Sequence, residues 1–234
     1  MPDTPLSVLL KNGGENCEKN LAMSKHKPRR YYPPQPPKST ESRTLVFCKP
    51  YKVLSSFTDA EDRATVGNYV PVPDVYAAGR LDYDSEGLLL LTSNGKLAHR
   101  ITHPKHKLEK VYLVQVENIP DPQALEQLRR GVLVKDKKTL PAGIELLTIE
   151  PDLFPRSEPI RERKNIPTAW LKITLREGRK RQVRRMTAAV GSPTLRLIRI
   201  AIGSIALDDL QPGQWRDLTS AELNQLHLDL GLKV

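Results

Sequence analysis

Long apolar runs are missing from this chain. No stretch of about eighteen apolar residues occurs, so nothing reads as a membrane-spanning helix. The apolar piece from Leu6 to Leu10 is too short for a signal peptide, and it lacks the basic start and the cleavage site of one. Cysteine is scarce too. Cys17 and Cys48 are the only two, which excludes a disulfide framework and a cysteine-rich zinc site. A reducing cytoplasm is the compartment such usage implies. No glycine-rich phosphate loop and no internal repeat is present. His99 and His103 stand four apart with His106 beyond, but Arg100 follows His99 and no carboxylate lies nearby to complete a metal site. Solvated or phosphate-facing histidines fit that pattern better. No Ser-His-Asp or Cys-His arrangement is visible.

What the chain does have is positive charge, concentrated in two places. The net charge of its 234 residues is +10. Residues 161–185 hold ten Lys/Arg against two Asp/Glu, and residues 1–43 hold eight against four; the remainder is slightly acidic. In 161–185 arginine outnumbers lysine by seven to three, and its planar fork suits phosphate. A focused basic patch of this kind is the footprint of a polyanion partner, most often nucleic acid.

Along the chain, residues 1–42 are polar and proline-rich, with no sustained period. They read as a disordered basic arm, followed by one globular domain over 43–234. Thr44 to Cys48 reads as a strand stopped by Pro50, and Lys96 to Ile101 as a helix closed by Pro104. Val111 to Glu117 alternates as a strand. Asp121-Pro122 supplies an N-cap and an N1 proline for a helix that Gly131 ends. Trp170 to Glu177 alternates strictly. Gln182 to Val190 carries Val183, Met186 and Val190 on one helical face, ended by Gly191. Thr219 to Glu222 forms a capping box for a last helix bearing Leu223 and Leu226. Strands and helices interleave, so the class is α/β or α+β.

Three constellations carry chemistry. In Gly79-Arg80-Leu81-Asp82-Tyr83-Asp84-Ser85-Glu86-Gly87 a carboxylate sits beside an arginine in a turn, just before Leu88 to Leu91, a run short enough for a buried core strand. A fixed strand would hold Asp82 at the edge of a cleft; a solvated acidic turn is the competing reading. A calcium loop fails, because its twelfth position is Ser93 and four leucines interrupt it. A glycosidase pair fails as well, since carboxylates two apart do not flank a substrate. Next, Tyr112 shares a strand face with Val114 and Val116 near the strand's open end, either as a core tyrosine or as a flat ring presented to a cleft. Finally, Glu177 to Met186 is a strand-to-helix turn loaded with Arg179, Lys180, Arg181, Arg184 and Arg185. Cations at a helix N-terminus oppose the local dipole unless an anion is present.

Taken in order, Gly79-Arg80-Leu81-Asp82 with Ser85-Glu86-Gly87-Leu88, Lys110-Val111-Tyr112, and Gly178-Arg179 through Gln182-Val183-Arg184-Arg185-Met186 resemble the motifs of bacterial ribosomal-RNA pseudouridine synthases over about residues 44–217. The short N-terminal part, together with 159–168 and 193–199, is similar to the short, large-subunit-modifying type. The resemblance implies an α+β fold, with a mixed, largely antiparallel sheet, flanking helices and a basic cleft. It implies isomerisation of a uridine in large-subunit ribosomal RNA, with no cofactor and no metal, by a cytoplasmic monomer. By the same resemblance Asp82, Tyr112 and Arg184 are the catalytic set: Asp82 acts as nucleophile or base at the ribose, Tyr112 stacks on the base, and Arg184 pairs with Asp82. Arg80 would hold the target nucleotide out of its helix. Lys110, Arg179, Lys180, Arg181 and Arg185 would contact RNA. Two other classes compete. A non-catalytic RNA-binding assembly protein of the same fold would be marked by loss of the aspartate, tyrosine or arginine. A base-releasing glycosylase would be marked by free uracil.

Overall fold

The computed structural model describes residues 42–106, 108–160 and 165–232. The expected arm over 1–42 therefore lies almost wholly outside the described residues, as do residues 161–164 of the basic stretch. In chain order the elements are β1 (Thr44–Lys49), β2 (Tyr76–Ala77), β3 (Glu86–Thr92), α1 (Gly95–Thr102), β4 (Lys110–Glu117), α2 (Pro122–Arg130), β5 (Leu133–Val134), β6 (Lys137–Lys138), β7 (Gly143–Leu147), β8 (Thr168–Leu175), α3 (Gln182–Ala189), β9 (Thr194–Ile202), β10 (Ile205–Ala206), β11 (Trp215–Asp217) and α4 (Ser220–Asp229). Among the described residues no helix is long and apolar enough to cross a membrane.

One sheet runs β11-β1-β3-β9-β4-β8-β7, with β2 added on β3 and β10 on β9; β5 and β6 form a separate ribbon. Every pairing in the main sheet is antiparallel except β3 with β9, which is parallel and short: Glu86 opposite Ile198 and Gly87 opposite Arg199. The sheet is thus two antiparallel halves joined at one seam. The class is α+β, with a mixed, largely antiparallel sheet.

The four-leucine run lies at this seam because it is buried on both faces, as a central strand must be. Leu88 and Leu90 pack with α1 and α4 residues such as Leu97, Ile101 and Leu226. Leu89 and Leu91 point the other way, toward Val66, Val70, Val75 and Leu81 of the β1–β3 connection. In the other half, Val114, Val116, Leu171 and Ile173 form a core with Leu125 and Leu128 of α2 and Val183 and Met186 of α3.

The caps do what the sequence indicates. Asp121 accepts a hydrogen bond from the Ala124 amide at 2.7 Å, and Thr219 with Glu222 closes a capping box at α4. Gly87 has no substitute at the seam. Its φ is +95°, and a β-carbon there would lie 2.3 Å from the Arg199 carbonyl oxygen.

Candidate active site

The seam positions the site. Asp82 sits in the turn that feeds β3, closed by a hydrogen bond from the Ser85 amide to the Asp82 carbonyl at 3.0 Å. Tyr112 comes from β4, in the other half of the sheet. Both border one cavity of about 600 Å³, with Arg80, Lys110, Arg179, Lys180 and Arg181 also on its wall. Seven of the nine residues singled out from sequence therefore converge. Arg184 and Arg185 do not border that cavity.

Asp82 is half-buried, and no hydrogen bond or ion pair reaches its carboxylate from the described residues. Its lone pairs are left for a substrate. Tyr112 is 9% exposed, packed into the core and bordering the cavity. Arg80 and Lys180 border the cavity and are exposed, which places them at its mouth.

Arg184 meets a different carboxylate from the one the sequence motif indicated. Its Nε lies 3.3 Å from Asp84 Oδ2, at ion-pair distance without hydrogen-bond geometry, and its Nη2 donates to the Asp84 carbonyl at 2.6 Å. Its Nη1 donates to the Thr194 carbonyl at 3.2 Å. Arg181 makes a fork on the same Asp84 carboxylate, with both contacts at 2.8 Å. The physical reason is the turn. It aims Asp82 into the cavity and Asp84, two residues on, toward the start of α3. Burial acts to raise the Asp84 carboxyl, but the hydrogen bond from Arg181 and the charges of Arg184 and Arg181 outweigh it and hold Asp84 below its ordinary value. Asp82 still lies within the field of both arginines.

The cations that load the start of α3 therefore find part of their anion inside the protein. Arg179 is likewise engaged, with Glu177 at 3.1 Å and the carbonyls of Lys137 and Lys138 at 3.2 and 2.9 Å. Arg181, at the helix N-cap, even adopts a left-handed φ of +54° under its clamp. Of the expected phosphate contacts, Arg80 and Lys180 are the exposed ones at the cavity.

Several residues at or near the site were given no role in the sequence reading. Lys49 is fully buried beneath the turn and donates to the carbonyls of Pro50 and Val53 at 2.8 and 2.7 Å. Burial pulls its ammonium down to about 7 against the opposing field of Glu86, Asp84 and Asp82. Arg199 of β9, 4% exposed, borders the cavity beside Tyr112. Glu86 and Arg196 form a buried fork across the seam at 3.0 and 3.1 Å. His99 of α1 and His103 at its C-cap have ring centroids 5.0 Å apart, but no group of three metal-capable side chains exists among the described residues.

Known proteins share this chain's sequence and fold. Residues 43–189 match the family described as RNA pseudouridylate synthase. The ribosomal large subunit pseudouridine synthase E of Vibrio parahaemolyticus is 55% identical over 176 residues, covering 75% of this chain and 74% of that protein. Its namesake in Xanthomonas campestris is 56% identical over 174 residues, covering 74% of this chain and 93% of that protein. A crystal structure of a pseudouridylate synthase superposes with a TM-score of 0.66 at 33% identity, covering 80% of this chain and 74% of that one. With the matched residues spanning both halves of the sheet and the cavity between them, this chain belongs to the RNA pseudouridylate synthase family.

Proposed function

We propose that this protein converts a uridine of large-subunit ribosomal RNA into pseudouridine. The observation that carries the reading is the meeting, in one cavity, of Asp82, whose carboxylate takes no hydrogen bond from the described residues, with Tyr112 and a cationic wall. The target base cannot be reached inside a helix, so it must be flipped out, at a cost of a few kcal/mol. Arg80 at the mouth takes the gap or the flanking phosphate, and Lys180 holds the backbone. Tyr112 stacks on the base. Asp82 acts on the ribose, as nucleophile at C1′ or as base, and the C1′–N1 bond breaks. The base turns, C5 joins C1′, the C5 proton leaves and N1 takes up a proton. Substrate and product have the same atoms, so no redox cofactor is required. Arg184 acts at one remove, through Asp84, which fixes the turn that presents Asp82.

The large subunit enters this reading from the names of the relatives, supported by the basic surface of 165–185. Lys110, Arg179, Arg181 and Arg185 complete the proposed RNA-facing set, and the segment 1–42 adds a basic arm for non-specific phosphate contact. The protein works as a cytoplasmic monomer in this account. The test uses Asp82→Asn. Offered naked large-subunit RNA, small-subunit RNA and transfer RNA, the wild type forms pseudouridine at one site of the first. The Asn variant forms none, yet binds with nearly unchanged affinity, because affinity comes mainly from phosphates. Turnover by the variant refutes the role of Asp82; a single efficient site in either other RNA refutes the substrate.

A further inference from the structure

The wall of the cavity beside Tyr112 is unusual in its charge. Tyr112 on β4 pairs directly with Arg199 on β9, so their side chains share one face of the sheet. Lys110, two residues before Tyr112, shares that face as well. All three border the cavity that Asp82 borders. Arg199 is 4% exposed; its Nε donates to the Leu88 carbonyl at 2.8 Å, while its Nη2 is buried and has no hydrogen-bond partner among the described residues. Lys110 Nζ donates one hydrogen bond, to the Leu108 carbonyl at 2.8 Å, and forms no ion pair with a described residue. Burial first, and then repulsion by Arg199, pull the Lys110 ammonium down to about 8.

A buried guanidinium with an unmade donor beside a half-buried ammonium is costly. The contrast with Arg196, three residues earlier on the same strand, is direct: that guanidinium is also buried, but it is paired with Glu86 and with the Phe154 carbonyl. Arg196 is built to hold the fold together. Arg199 and Lys110 are built to receive something from the cavity. Exposed Arg80 and Lys180 already stand at the mouth, where phosphate passes, whereas this pair lies in the wall next to the tyrosine ring.

We propose that Lys110 and Arg199 form an oxyanion site for the two carbonyl oxygens of the target uracil. This rests on the isomerase reading above and deepens it. When the C1′–N1 bond breaks, its electron pair goes to N1 and spreads onto O2 and O4. The detached base is an anion, and preorganised donors act most strongly on charge that develops in the reaction. Turning uracil by half a turn about its N3–C6 axis exchanges N1 with C5 and O2 with O4. The carbonyl oxygens therefore occupy the same two places before and after the turn. A fixed pair of cations serves both the cleavage and the rejoining, while neither cation gains or loses a proton. Forming the C5–C1′ bond neutralises the base; C5 then gives up its proton and N1 takes one up, so the product is neutral and carries the same atoms.

The experiment uses the full chain, Lys110→Met and Arg199→Gln, with Arg199→Lys as the variant that keeps a cation where Gln fails to fold. Single-turnover rates and RNA affinities are measured on the mapped large-subunit RNA fragment, transcribed with uridine or with 5-fluorouridine. Fluorine makes the departing base a weaker base, so it depends less on the site. We expect affinities within about threefold of wild type, base cleavage slowed by about 10–100-fold on uridine RNA, and a deficit at least about threefold smaller on 5-fluorouridine RNA. Wild-type rates in the folded Lys110→Met variant overturn the proposal. So does a loss confined to affinity with a shallower salt dependence, which marks phosphate contacts, and so does an equal deficit on both RNAs, which marks positioning alone. A wild-type protein that makes no pseudouridine refutes instead the reading on which the proposal stands.

Discussion

Replacing Glu86 by glutamine tests what holds the two halves of the sheet in register. The Glu86 side chain is 2% exposed and that of Arg196 10%, and the two form a fork at 3.0 and 3.1 Å. Each ion gave up hydration worth several kcal/mol, which their mutual attraction and the Phe154 carbonyl offset. Glutamine keeps the shape and removes the charge, so the guanidinium stays buried without a counterion. Breaking one side of such a pair costs about 3–5 kcal/mol, against total stabilities of roughly 5–15 kcal/mol. At about 2–4 °C per kcal/mol for a domain of this size, the Tm falls by roughly 6–20 °C. Circular-dichroism melts and urea titrations measure it. The double variant Glu86→Leu with Arg196→Met removes both charges and should recover most of the loss, because an apolar pair of similar volume pays no desolvation. Glu86 also begins the only parallel pairing of the sheet, four residues after Asp82. The single variant should therefore lose turnover well below its Tm as Asp82 drifts relative to Tyr112. A Tm within about 2 °C of wild type refutes the reasoning, since it means that Arg196 finds water or another partner at little cost.

Two further substitutions bear on the same turn. Asp84→Asn removes the charge that faces Arg181 and Arg184, which should cost about 1–3 kcal/mol in urea titrations and slow turnover; it also frees Arg181, so RNA binding should tighten and its log–log salt slope should steepen by up to about one. Weaker binding with a shallower slope would show that Asp84 does not restrain Arg181. Gly87→Ala forces a β-carbon to within 2.3 Å of the Arg199 carbonyl oxygen at a φ of +95°; a loss of about 2 kcal/mol or more is expected, and an unchanged urea midpoint refutes the tight approach of β3 to β9.

The parts of the fold legible in the sequence are those whose environment is simple. Leu171 to Leu175 lies in β8 with Leu171, Ile173 and Leu175 buried and Lys172 exposed, so a period of two survives there, while Trp170 on the other face is buried too. The leucines of β3 need no period because both faces are covered. Asp121-Pro122 and Thr219 to Glu222 cap helices through local hydrogen bonds, which tertiary context does not rearrange. The strand that escaped notice, β9, is central to the sheet. Its sequence Thr194–Ile202 places arginines at 196 and 199, where alternation reads solvent. Both are buried, one on Glu86 and one against the cavity, for reasons supplied by β3 and β4 rather than by β9 itself.

At the site the same distinction decides what could be read. Asp82 and Tyr112 stand within local motifs, and the strands carry them into one cavity. The partner of Arg184 could not be read that way, because Asp82 and Asp84 are two residues apart, and only the turn geometry decides which of them faces α3. Charge counts mislead for a related reason. A stretch rich in arginine reads as a surface for RNA, yet Arg179 and Arg181 spend their donors on Glu177, two backbone carbonyls and Asp84. An arginine whose fork is satisfied internally adds to the long-range field but has few donors left to make a short-range contact with phosphate. Among the cations that border the cavity, those left over are the exposed Arg80 and Lys180 and the more buried Lys110 and Arg199, the latter in a strand to which the sequence reading gave no role. Sequence gives the total charge of this protein. The hydrogen-bond inventory gives the part of it that is free to act.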